Sequence, residues 1–169
     1  MAHFRDLQLR GPAQGYYPEP NKSILVVAER NVPRAKEYFR GMGIQVMTGS
    51  RYLDRFIGVR AVEVRWIKEK VEGWAESVRT LAGVARKHPQ SAYAGLQKSL
   101  QQEWEFVQKV TLGIGDAFGP VEEETATAFL PGLFEGVGDG SPGREITCLS
   151  VKQAGLALPD PTRTAPDNW

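Results

Sequence analysis

The chain has 169 residues, 41% of them hydrophobic and 24% charged, with a net charge of +1: the composition of an ordinary globular protein with material for a core, spread over one domain or one and a half. A single cysteine, Cys148, excludes an internal disulfide, the opening Met1-Ala-His-Phe-Arg-Asp has no apolar run to serve as a signal peptide, and no stretch approaches the roughly 18 apolar residues of a membrane span. An intracellular location, nuclear or cytoplasmic, is therefore expected. The small net charge hides a split. Residues 1–98 carry 17 Lys and Arg against 9 Asp and Glu, a net of +8, whereas residues 99–169 carry 4 against 11, a net of −7. A basic half suits a phosphate backbone, though an ordinary solvated surface also fits.

In chain order, His3–Arg10 reads as the last turns of a helix that begins before Met1, stopped by Gly11-Pro12. Gly15 to Asn21 is a turn-rich loop. The continuous apolar run Ser23–Ala28 predicts a buried strand. Asn31 and Pro33 predict a helix start, with the helix running to about Arg40 and ended by Gly41 and Gly43. Ile44–Met47 and Tyr52–Ile57 predict two strands joined through Thr48-Gly-Ser50 as a hairpin. From Val64 the pattern changes. Val64, Ile67, Val71, Trp74, Val78, Leu81 and Ala85 step by fours and threes, one apolar stripe on a long helix ending near His88-Pro89. Tyr93, Leu96, Leu100, Trp104 and Val107 predict a second helix over Gln90–Val110, and a third spans Val121–Phe134, interrupted near Pro131. Arg144–Val151 suggests a short strand. Ala154–Trp169 has three prolines and no periodicity, and predicts a loop or disordered tail.

The fold class that follows is α+β: a strand-rich segment over 1–60, a helical domain over 61–135 and an irregular tail over 136–169. His3, His88 and Cys148 fit no metal-ligand spacing, and no phosphate-loop or dinucleotide-binding pattern is present. Glu122-Glu-Glu124 is better explained by a helix start than by a metal. Lys22, at the opening of the first strand, has the reach to touch a phosphate or to pass a proton to a leaving pyrophosphate; taken alone, the residue is better read as an ordinary solvated lysine. Tyr52 and Phe56 alternate with Arg51 and Arg55, a mixture that suits stacking and phosphate contact, or packing beneath the helices. Arg65, Lys68, Arg79 and Arg86 avoid the apolar stripe of the long helix, where they either track a duplex backbone or pair with Glu69, Glu72 and Glu76 on the same exposed surface.

Four stretches, in order, resemble one family. Gly15-Tyr-Tyr-Pro-Glu-Pro-Asn-Lys-Ser-Ile-Leu-Val-Val27 resembles the segment after the catalytic Tyr-X-Asp-Asp box of reverse transcriptases from non-long-terminal-repeat retroelements. Tyr52-Leu-Asp-Arg-Phe-Ile-Gly58 resembles the primer-grip hairpin that follows, whose common form is Tyr-Leu-Gly-Gly-Phe-Ile-Gly. Pro89–Trp104 is similar to thumb segments of retroelement-derived proteins of microbial eukaryotes, and Val151–Pro159 to a Gly-Leu-Gly-Leu stretch beyond them. The resemblance implies the end of a palm followed by a thumb, binding an RNA–DNA or DNA template–primer duplex. It implies a general-acid position for Lys22, primer contact from Tyr52 to Gly58, and duplex contact from Arg65 and Lys68.

Two departures bear on activity. The carboxylates that hold Mg2+ in this family would lie on palm strands outside this chain, so the fragment is expected to bind no cofactor and to be catalytically incomplete alone. Asp54-Arg55 also replaces the usual Gly-Gly, which suggests a decaying copy. The alternatives are a small helical protein-interaction module that uses the Trp66–Trp74 surface and the acidic C-terminal half, and a retroelement remnant without function.

Overall fold

The computed structural model describes residues 2–53, 55–135 and 143–167. The architecture is mixed, mostly helical with two small two-stranded sheets. Two compact units are present, residues 1–52 with 56–63 and residues 53–55 with 64–169.

In the first unit α1 (Ala2–Arg10) ends where Gly11 donates its N–H to Leu7 O at 2.8 Å. A Cβ at Gly11 would lie 2.4 Å from that carbonyl and 2.6 Å from Tyr16 O, so only glycine allows the chain to fold back this closely. Two 3-10 turns, Pro12–Gln14 and Pro20–Lys22, lead into β1 (Ile24–Val26). β1 pairs in parallel with β2 (Gln45–Met47), placing Leu25 opposite Val46. The parallel pairing requires a crossover, supplied by the 3-10 turn Glu29–Asn31 and α2 (Val32–Tyr38). Asn31 stands at the helix start without a side-chain capping bond, and Pro33 sits in the first turn, where its missing N–H costs nothing.

Two expectations for this unit are corrected. The run Ser23–Ala28 is not a fully buried strand. Only three residues enter β1, and Ile24 remains 45% exposed, because β1 has a single sheet neighbour among the described residues. The hairpin is also shifted. β2 pairs with β1 and not with Tyr52–Ile57, whereas β3 (Gly49–Tyr52) pairs with β4 (Arg55–Gly58). Leu53, directly after β3, has φ 49°, in the left-handed region that hairpin turns use.

The second unit is built on α3 (Arg60–Ala85), 26 residues and about 39 Å long. Its stripe of Ile67, Val71, Trp74, Ala75, Val78, Ala82 and Ala85 is buried. α4 (Pro89–Gly95) and α5 (Gln101–Val110) run as one helical stretch through a π turn at Leu96–Leu100. After the 3-10 turn Gly115–Phe118 come α6 (Gly119–Glu124) and α7 (Leu130–Leu133), joined by a π turn at Thr125–Phe129. The expected break near Pro131 is that π turn: proline has no N–H for the carbonyl four residues back, and the widened turn upstream absorbs the mismatch without ending the helix. Gly132 lets α7 approach α3, since a Cβ there would lie 2.8 Å from Ala82 O.

The C-terminal segment is corrected most. Arg144–Cys148 is a helical turn, α8, rather than a strand. The proline-rich remainder, expected as a loop or disordered tail, contains α9 (Pro161–Asp167) and packs into the core, with Leu158 and Ala165 each 2% exposed. Its backbone is held by side chains of the preceding helices. Tyr93 OH donates to Leu156 O at 2.6 Å, and Gln108, fully buried, donates to Pro161 O at 2.7 Å. Arg144 grips both oxygens of Glu122 at 2.7 Å and donates to Leu158 O at 2.6 Å. Burial alone would lower the Arg144 pKa, but hydrogen bonding and charge from Glu122 outweigh it, and the guanidinium is held more firmly charged than usual.

Replacing Arg144 with alanine strands Glu122 and frees the Leu158 carbonyl. We expect it to cost about 1.5–3 kcal/mol in urea unfolding. A Glu122→Gln, Arg144→Ala double mutant should lose less than the two single changes summed. Burial also pushes the Tyr93 phenol above its ordinary pKa of 10.0. The fold favours the neutral ring, so this contribution is whole below that ordinary value and is lost as pH rises through the raised one. Urea midpoints measured from neutral to strongly alkaline pH should therefore fall less steeply above about pH 10 in Tyr93→Phe than in the parent.

Candidate nucleic-acid interface

Lys22 closes the 3-10 turn Pro20–Lys22, two residues before β1 begins. Its side chain is 77% exposed, and the ammonium lies 2.9 Å from Glu19 Oε2. Glu19, Lys22, Ser23 and the exposed Tyr16 and Tyr17 line an open hollow of about 330 Å³.

The hairpin is shaped by two glycines. A Cβ on Gly58 would lie 2.4 Å from Gly49 Cα and 2.5 Å from Thr48 O. A Cβ on Gly49 would lie 2.4 Å from the Phe56 ring. The two backbones therefore meet with the Phe56 ring folded over Gly49, and Val59 N–H closes the ladder onto Thr48 O at 2.9 Å. Strand alternation turns Phe56 inward, to 6% exposure, while Arg55 and Ile57 face out. Phe56 thus offers no open face to a base, and Gly58 acts by letting two backbones approach. Arg51 and Tyr52 are exposed on β3, Tyr52 at 63%. The hairpin brings Arg51, Tyr52, Arg55, Phe56 and Gly58 together. Arg65 and Lys68 lie one turn apart on the exposed side of α3.

Neutralisation separates the basic residues. Arg10, Lys22, Arg60, Arg79, Arg86, Lys109, Arg144 and Arg163 each lie within 4.0 Å of a carboxylate. Arg55, Arg65 and Lys68 have no such partner among the described residues. α2 carries a group that sequence reasoning passes over: Asn31, Arg34 and Tyr38 line a cleft against β1. Their spacing of three and four residues is the available signal.

The described residues contain no group of three or more His, Cys, Asp or Glu placed to hold a metal ion. No described helix is long and apolar enough to cross a membrane. Comparison with protein-family models, curated proteins and solved structures finds no match.

Alanine at Gly58 must push against backbone rather than a flexible side chain. Gly58→Ala is expected to destabilise the hairpin by about 1–3 kcal/mol. The measurable consequence is faster hydrogen exchange at Val59, with the amides of Val71 to Val78 unchanged.

Proposed function

We propose that this chain is a nucleic-acid-binding segment of reverse-transcriptase type, the end of a palm followed by a thumb, which contacts an RNA–DNA or DNA template–primer duplex through its backbone. The observation that carries this reading is the set of exposed, unneutralised cations Arg55, Arg65 and Lys68, with Arg51 and the exposed Tyr52 ring on the same hairpin as Arg55. Cations with no carboxylate beside them are available to replace the counterions of a phosphate backbone. A ring with most of its surface open is available to stack. In this reading Phe56 and Gly58 build the hairpin that presents those groups. Lys22 takes the family's general-acid position, where donation to a leaving pyrophosphate would require its ammonium to part from Glu19.

The sparse burial in the first unit supports a segment that belongs to a larger assembly. Within residues 5–63, Gly11, Ala35 and Phe56 are the buried positions among those described, whereas Tyr16, Tyr17, Ile24, Met47 and Ile57 are exposed. The alternative of a protein-interaction surface spanning Trp66 and Trp74 loses half its basis, because Trp74 is 5% exposed and belongs to the core.

Filter binding of an RNA–DNA hybrid across a salt series tests the proposal. Arg55→Ala, Arg65→Ala and Lys68→Ala together should weaken binding and flatten the plot of log affinity against log salt by about 2–3 units of slope, since each phosphate the protein no longer neutralises removes about 0.9. An unchanged slope would remove the proposal.

A further inference from the structure

Strand β1 and helix α2 enclose a cleft of about 400 Å³, within the size range of small-ligand sites. One wall is Leu25 and Val27, which alternate onto the same face of the strand; Ala35 and Phe39 of the helical segment also line it. Asn31, Arg34 and Tyr38 complete the lining, one stripe of the helix, and all three are exposed. The Tyr38 ring stands edge-on to Phe39, with centroids 5.2 Å apart and planes at 75°, and keeps 56% of its surface open. Arg34 has no carboxylate within 4.0 Å among the described residues, and the same holds for Arg30, Lys36 and Arg40 on either side. Residues 29–40 contain these four cations against two acids, Glu29 and Glu37.

The three side chains supply different chemistry. Tyr38 offers an aromatic face, Asn31 an amide that both donates and accepts, and Arg34 a planar fork that suits a phosphate. An acidic peptide would use the cations and leave the aromatic face and the amide idle. A nucleotide uses all three. We infer that the cleft between β1 and α2 seats one nucleotide of a single-stranded nucleic acid, its base against Tyr38 and Asn31 and its phosphate on Arg34. This site shares a ligand class with the proposed duplex contact but no residue, so the two stand or fall separately.

Fluorescence anisotropy of labelled oligo-dT with the full chain at low salt tests it. Tyr38→Ala should weaken binding about tenfold, in the range found for removing one base–aromatic stack, whereas Tyr38→Phe should stay within about twofold of the parent. Arg34→Ala should also weaken it, and should do so more than Lys36→Ala, which removes an unpaired cation outside the cleft. Tyr38 is largely exposed, so the alanine variant should keep the parent's circular dichroism and its affinity for the RNA–DNA hybrid. Free UMP should compete only weakly, because it lacks the neighbouring phosphates through which a strand gains electrostatic affinity. Parental affinity in Tyr38→Ala, or a loss in Lys36→Ala as large as in Tyr38→Ala and Arg34→Ala, would overturn the inference and leave diffuse charge as the cause of binding. Failure of the Arg55, Arg65 and Lys68 variants to change hybrid binding would count against the duplex reading alone.

Discussion

The second unit depends on the packing around Trp74. Its indole lies nearly parallel to the Phe118 ring, centroids 6.0 Å apart at 14°, and meets Trp104 edge-on at 6.4 Å and 66°. The indole N–H, which a buried tryptophan must satisfy, donates to Glu103 Oε2 at 3.1 Å. One residue of α3 thereby fixes α5 and the turn Gly115–Phe118, from which α6 leaves. Ile67, Val71 and Val78 on the same stripe are at most 1% exposed and extend this packing along the helix. Aromatic pairs in such geometry add about 0.5–1.5 kcal/mol to the burial of the rings themselves.

The C-terminal segment is secured by a different force. It has few apolar residues to bury, and the helices reach out to its backbone instead: Tyr93 to the Leu156 carbonyl, Gln108 to that of Pro161 and Arg144 to that of Leu158. Each bond satisfies a carbonyl that would otherwise be costly to bury. Ala154 and Ala157 hold positive φ, at 62° and 50°, within the tight course this capture imposes, and Gly155 lies where a Cβ would come within 2.2 Å of Leu149 O.

These two forces explain what is legible in the sequence. Hydrophobic spacing identifies α3 and the stretch from α4 to α5 because their burial is one-sided and apolar. The C-terminal segment carries no such period, since the atoms that hold it are backbone carbonyls, which sequence does not distinguish; α9 is therefore invisible to that reading. In the first unit the apolar runs are legible and their pairing is not. Ile44–Met47 suits either the hairpin or the parallel partner, and a local rule favours the nearer strand. Gly49 and Gly58 decide the matter by meeting face to face, which needs the other register. At the candidate interface the cations are visible as letters, but their neutralisation is not. Arg60 with Glu63, at three residues' spacing and 2.8 Å, looks no different in sequence from Arg65 with Glu69, for which no ion pair forms. Phe56 and Tyr52 likewise read as equivalent aromatics, and strand alternation buries the first and exposes the second.

The proposal at the centre of this account is that the basic N-terminal portion of the chain binds nucleic acid through Arg55, Arg65 and Lys68, which have no carboxylate partner among the described residues. Hydroxyl-radical footprinting read by mass spectrometry, with and without an RNA–DNA hybrid, measures this at single residues. Exposed side chains supply the probes: Tyr52 and Leu53 at the hairpin, Leu112 and Val151 in the acidic portion. The account expects the hybrid to protect Tyr52 and Leu53 and to leave Leu112 and Val151 oxidised at the free rate. Equal oxidation everywhere, or protection confined to Leu112 and Val151, would contradict it.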